Sequence, residues 1–121
     1  MKVTMPYIGR SLSVNCYKIV GKRGLRTNKT RPETERWMNQ LISKVKDNSE
    51  LEMVFGKPVV VELFGKFEDR RSTPDIHNLH KVIGDALQVA LDIDDKFIKF
   101  EDKGFELGFP FPSLEIFIRG C

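Results

Sequence analysis

The run Val59-Val60-Val61-Glu62-Leu63-Phe64-Gly65-Lys66-Phe67 leaves little room for anything but a strand. It is dense in β-branched and aromatic side chains, which suit a pleated surface, and it reads as a buried strand over 59–67. Two stretches with helical spacing flank it. Before it, Trp37, Met38, Leu41, Ile42 and Val45 make one apolar stripe. After it, Ile76, Leu79, Val82, Ile83, Ala86, Leu87 and Ala90 fall on one face at about 100° per residue.

Local signals set the expected boundaries. Thr30-Arg31-Pro32-Glu33 has the spacing of a capping box, with Thr30 as N-cap and Glu33 returning to its amide. That helix should fray near Asp47-Asn48-Ser49, with Trp37 in the core. The second helix is predicted from about Ile76 to Leu91. Short strands are expected over 2–8 and 12–20, broken around Gly9-Arg10, and a turn-rich loop from Gly21 to Lys29. Gly56-Lys57-Pro58 punctuates the chain, and Glu68 to Pro74 reads as a polar loop. Two further strands are expected near 96–101 and 114–119, joined by a Phe/Gly/Pro-rich connection from Gly104 to Pro112. The order β-β-α-β-α-β-β argues for the α+β class, a mixed β-sheet packed by two helices. With 121 residues the chain is expected to be a single domain, 1–121. A core of that size needs no staple.

Charge is distributed unevenly. The net charge of +3 is small, but Lys18, Lys22, Arg23, Arg26, Lys29 and Arg31 crowd an early segment, and Asp92, Asp94, Asp95, Glu101, Asp102 and Glu106 a late one. The basic arm suits a phosphate backbone; it equally suits a solvated loop. No apolar run approaches ~18 residues, so no membrane span is expected. Met1-Lys2-Val3-Thr4-Met5-Pro6 lacks the features of a signal peptide, and cytoplasmic residence is expected. Cys16 and Cys121 form neither a metal-type pair nor a disulfide framework and read as free thiols.

Chemistry concentrates in Pro74-Asp75-Ile76-His77-Asn78-Leu79-His80-Lys81, then Asp85-Ala86-Leu87, then Asp94-Asp95. Oxygen ligands beside a cation hold a hard metal next to phosphate, which points to phosphodiester chemistry. Asn78, Lys81 and Asp85 are three and four residues apart and should share the face opposite the apolar one. Asp75 precedes the first turn, where a carboxylate is favoured as a cap. A purely structural account has similar weight: Asp75 caps, Lys81 pairs with Asp85, Asn78 is solvated and Asp94-Asp95 make a turn. Packing His-Asn-Leu-His into four consecutive positions does not suit an HNH nuclease. A zinc pair from His77 and His80 finds no further soft ligands nearby in sequence.

These motifs resemble the signature of the RusA family of Holliday junction resolvases: Asp-x-Asp-Asn-Leu-x-Lys, an Asp-Ala-Leu in the same helix, and a paired Asp-Asp after it. Pro6-Tyr7-Ile8 with Ser13-Val14-Asn15-Cys16-Tyr17 is similar to the family's Pro-rich opening ending in Ser-x-Asn-x-x-Tyr, one residue shorter. Arg70-Arg71 resembles its basic lead-in. The likeness covers most of the chain in element order, and its specific part is residues 74–95. It implies a Mg²⁺-dependent homodimeric endonuclease acting on branched DNA, the four-way junction, with no small-molecule cofactor and no membrane partner. Asp75 then matches the first acidic ligand, Lys81 the catalytic lysine, and Asp94 and Asp95 the paired acids. Asn78 would orient a ligand or water. Asn15, Lys22, Arg23, Arg26, Lys29, Arg70 and Arg71 would contact DNA. His77 stands where the family has its second Asp. Imidazole suits Mn²⁺ or another transition ion better than Mg²⁺. Either Asp85 compensates as a ligand, or the metal preference shifts, or activity falls. A non-catalytic branched-DNA-binding relative is the alternative, and a partner-binding domain without nucleic acid a third class.

Asp75 and Asp95 flank a helix of about sixteen residues, whose ends lie roughly 24 Å apart. Metal–oxygen bonds of about 2.0–2.6 Å cannot bridge that distance. Two-fold pairing of antiparallel helices would join the start of one to the end of the other. The expectation is two composite sites per homodimer, each with Asp75 from one chain and Asp94 and Asp95 from its partner.

Overall fold

A computed structural model describes residues 1–20 and 26–121 of the chain. The element order is β1 (Lys2–Pro6), β2 (Lys18–Val20), β3 (Arg26–Thr30), α1 (Pro32–Lys46), β4 (Val59–Phe67), α2 (His80–Leu91), β5 (Ile98–Leu107) and β6 (Ser113–Gly120). The class is α+β, as the order of patterns implied. β1, β6, β4 and β5 lie side by side in one mixed sheet, and β2 and β3 form a separate two-stranded sheet. β6 is antiparallel to both β1 and β4, whereas β4 and β5 run parallel. A parallel pair needs a crossover, and α2 supplies it.

β4 is the spine. Val59, Val61, Leu63, Gly65 and Phe67 are buried, while Glu62, Phe64 and Lys66 between them are only partly covered. The expected fully buried strand is therefore half-buried beyond Val61. Its outward face mixes Glu62 and Lys66 with Val60 and Phe64, and ion pairs lace the charged positions: Lys2 and Lys66 to Glu115 at 3.4 and 3.1 Å, and Lys103 to Glu62 and Glu101 at 3.5 and 3.3 Å. The inward face meets the helices. Trp37, Leu41 and Val45 of α1 join Val82, Ile83, Ala86, Leu87 and Ala90 of α2 in one core. Trp37 is a core residue, as expected, and its indole Nε1 donates to the Pro6 carbonyl at 2.7 Å.

Several boundaries differ from the sequence reading. The strand expected over 12–20 shrinks to Lys18–Val20, because Arg10–Leu12 winds into a 3₁₀ turn whose Leu12 plugs the core. The basic loop contains a strand, β3, that hairpins with β2. The Thr30 capping box does not form. Thr30 belongs to β3, where its Oγ1 accepts from Lys18 Nζ at 3.2 Å, and Glu33 accepts from Ser11 Oγ at 3.1 Å. Arg31 stands at the N-cap in the extended conformation that a following proline imposes, with Pro32 opening the helix. β5 continues to Leu107, so half of the Gly104–Pro112 connection is strand. Among the described residues no helix is long and apolar enough to cross a membrane.

Candidate metal centre

The polar loop after β4 ends in a 3₁₀ turn, Ile76–Leu79, and only then does α2 begin at His80. Asp75 starts that turn as its cap, its carboxylate accepting the His77 amide at 3.1 Å. The Val14 amide donates to the Asn78 carbonyl at 2.8 Å and ties the turn to the N-terminal segment. In 3₁₀ winding, residues three apart lie one above the other. His77 and His80 meet on that account, their rings 4.8 Å apart and edge to face.

β5 lies beneath this start of α2, at the edge of the sheet. Ile98, Phe100 and Asp102 alternate along it and so share one of its faces. Phe100 stacks on the His80 ring, 4.3 Å between centroids and 9° between planes. His80 Nε2 lies 2.7 Å from Asp102 Oδ1. One ligand atom each from His77, His80 and Asp102 fall within 4.8 Å of one another, a group that can hold a metal ion. His80 is half-buried; His77 and Asp102 are exposed. His77 was expected among the ligands, and a zinc pair with His80 had no further soft ligand nearby in sequence; the third donor that the fold brings to the histidines is a carboxylate. Asp102 supplies it from twenty-two positions further on.

Beside these rings runs a cavity of about 310 Å³ between α2 and β5, lined by His77, His80, Lys81, Asp85, Asp95 and Phe100 among others. Lys81 Nζ donates to Asp85 Oδ1 at 3.1 Å. That hydrogen bond and the charge of Asp85 hold the Lys81 ammonium above its ordinary pKa, with Asp95 adding to the field. Lys81 is therefore a fixed cation at neutral pH, not a proton acceptor. Gln88 Nε2 also reaches Asp85, at 3.5 Å.

Asp95 arrives in this cavity by a chain reversal. α2 ends at Leu91, and Asp92 adopts the left-handed conformation, φ 54° and ψ 52°. Asp94 then caps a 3₁₀ turn over Asp95–Phe97 that leads into β5. Hydrogen bonding to the Asp95 side chain, then to the Lys96 amide, holds the Asp94 carboxyl below its ordinary range.

The expected constellation is thus divided. His77, Lys81, Asp85 and Asp95 line one cavity. Asp75 and Asn78 line another, of about 440 Å³, together with Arg10, Arg71, Ser13 and Tyr7. Asn78 does not join Lys81 and Asp85 in their cavity; it lines the other groove, where its carbonyl accepts the Val14 amide. Asp95 follows the reversal at Asp92 and lines the same elongated cavity as His77, Lys81, Asp85 and Gln88, whereas Asp75 lines the other.

Among the residues expected to meet DNA, Asn15, Lys29, Arg70 and Arg71 are exposed. Arg70 and Arg71 form a 3₁₀ turn closed by Asp69 and Ser72, each capping the other. Arg26 opens β3, and Lys22 and Arg23 lie outside the described residues. Cys16 and Cys121 are free thiols, as expected. No known protein family matches the sequence, and no curated protein does.

Proposed function

We propose that this chain is a divalent-metal-dependent endodeoxyribonuclease of the RusA type, cutting four-way DNA junctions as a homodimer. The observation that carries this reading is the cavity in which Lys81, Asp85 and Asp95 converge beside His77. Mg²⁺ is held elsewhere by one or two carboxylates together with waters and substrate phosphates. Asp95 and Asp85 offer that donor set, so they are the residues that would hold the ion, with Mn²⁺ as an acceptable substitute given the neighbouring imidazole. When bound, the ion supplies Lewis acidity and an acidified water.

The remaining work falls to the chain's own groups. Lys81 keeps its proton and presents an ammonium at the cavity wall, where it stabilises negative charge on the phosphate oxygens or the leaving oxygen. Asp85 fixes that ammonium in place. Arg71 and Arg10 line the adjoining groove with Asp75 and Asn78, and they suit a phosphate backbone approaching the site. The hairpin of β2 and β3 extends the basic surface through Lys18 and Lys29. Asp75 contributes across the two-fold axis to the partner's site.

The direct test is nicking of a synthetic four-way junction under Mg²⁺ and under Mn²⁺. Cleavage is expected with either ion, lost with chelator and lost in Asp95→Asn. A second reading has one observation in its favour: Asp75 is occupied as a turn cap and Lys81 as a partner of Asp85. Those are the roles of a non-catalytic branched-DNA-binding relative. Retention of junctions with no metal-dependent nicking would select it.

A further inference from the structure

We propose that His77, His80 and Asp102 form a binding site for a zinc-class dication, separate in ligand chemistry from any ion held by Asp85 and Asp95. Two imidazoles and one carboxylate are a transition-metal donor set; a hard ion such as Mg²⁺ selects oxygens. Three protein ligands leave coordination positions open for water or phosphate oxygen, the pattern of reactive rather than purely structural zinc. Both imidazoles line the cavity, so an ion at this site lies at its wall.

The arrangement is pre-organised by backbone. The 3₁₀ turn stacks His77 over His80, and Asp75 fastens that turn through the His77 amide. Phe100 fixes the plane of the His80 ring, and Asp102 leaves β5 on the same face as Phe100. With Nε2 protonated, His80 donates to Asp102; a dication takes the place of that proton. The 2.7 Å separation between Nε2 and Oδ1 must then open. Zinc–ligand bonds of about 2.0–2.2 Å at tetrahedral angles put neighbouring ligand atoms roughly 3.3 Å apart. That pair opens by about 0.6 Å, and separations of up to 4.8 Å within the group must close by up to about 1.5 Å, within reach of side-chain rotation at the exposed His77 and Asp102.

Titration of the full chain with Co²⁺, read by visible absorption, tests the site without reference to DNA. The expected result is saturation at one Co²⁺ per chain, with displacement by Zn²⁺ and not by excess Mg²⁺. Asp102→Asn and His77→Gln should each weaken Co²⁺ binding at least about tenfold. Both positions are exposed, and a circular dichroism spectrum checks that the variants fold. Absence of saturable binding, or affinity unchanged in Asp102→Asn, overturns the proposal. The nuclease reading fails separately: Asp95→Asn should lose junction cleavage while keeping its Co²⁺ affinity within about twofold. Co²⁺ binding without any cleavage would retain this site and discard the nuclease. Mg²⁺-supported cleavage without Co²⁺ binding would do the reverse.

Discussion

Asp92 shows how one residue's backbone decides where chemistry is placed. It is the one non-glycine among the described residues with positive φ, and its left-handed turn sends the chain from α2 back toward β5. Asp and Asn tolerate that region because a short polar side chain can satisfy itself locally, whereas a β-branched side chain collides with the following carbonyl. Asp92→Val is expected to cost roughly 1–2 kcal/mol, measured by urea unfolding, and Asp92→Gly to cost almost nothing. Gly65 is constrained for a different reason. A Cβ there would run into the Phe67 ring, which is packed against Tyr7. Phe67 is fully buried and cannot step aside, so Gly65→Ala should destabilise by about 1–3 kcal/mol. Lys81 is the residue on which the catalytic reading turns. Lys81→Ala should reduce junction cleavage by about 10²-fold or more and junction binding by far less. An equal loss of both would make the lysine a phosphate contact.

Strands gain a further tie where β1, β6 and β4 run side by side. Glu115 of β6 sits between Lys2 of β1 and Lys66 of β4, and its side chain is only 15% exposed. Burial alone would raise its pKa, but hydrogen bonds and charge from the two lysines outweigh that and leave it lowered. A carboxyl depressed in the folded state stabilises the fold above its unfolded pKa of about 4.3 and stops doing so as pH falls through the folded value. Part of the acid loss of stability below pH ~4.3 should therefore disappear in Glu115→Gln. At pH 7 the same substitution should cost about 0.5–1 kcal/mol, since the pair is partly screened by water. Denaturant unfolding of both proteins at pH 7 and pH 3 measures the difference. The outward face of the sheet thus contributes through charge, while the inward face contributes through apolar burial.

For the molecule as a whole, the parallel β4–α2–β5 crossover decides the layout of the site. It lays one helix across an edge strand and opens a cavity along their seam. Asp75 faces a different groove, so the composite-dimer proposal makes a sharp claim. Mixing Asp75→Asn with Asp95→Asn protein should restore nicking through heterodimers that carry one intact site. Mixtures as inactive as either mutant would remove the shared site. Junction affinity should also fall with salt, and Arg70→Ala combined with Arg71→Ala should flatten that dependence by up to about two units of slope.

Much of this architecture is written in local patterns. The apolar stripe from Trp37 to Val45, the β-branched run of β4 and the apolar face from Ile76 to Ala90 were legible because burial repeats at the period of the element. The N-terminal third was less so. Leu12 and Tyr17 look like strand residues but are buried by a 3₁₀ turn and a bend, and Thr30 is drawn into a hairpin although its neighbours spell a cap. The site divides in the same way. Its basic and acidic members on α2, and the cap at Asp75, follow from spacing along one element. Asp102 beside His80, Asp95 in one cavity with Lys81, and Asp75 in another do not. Those placements depend on which strand lies under which helix and on how a turn is wound, quantities that long-range packing settles and no short stretch of residues encodes.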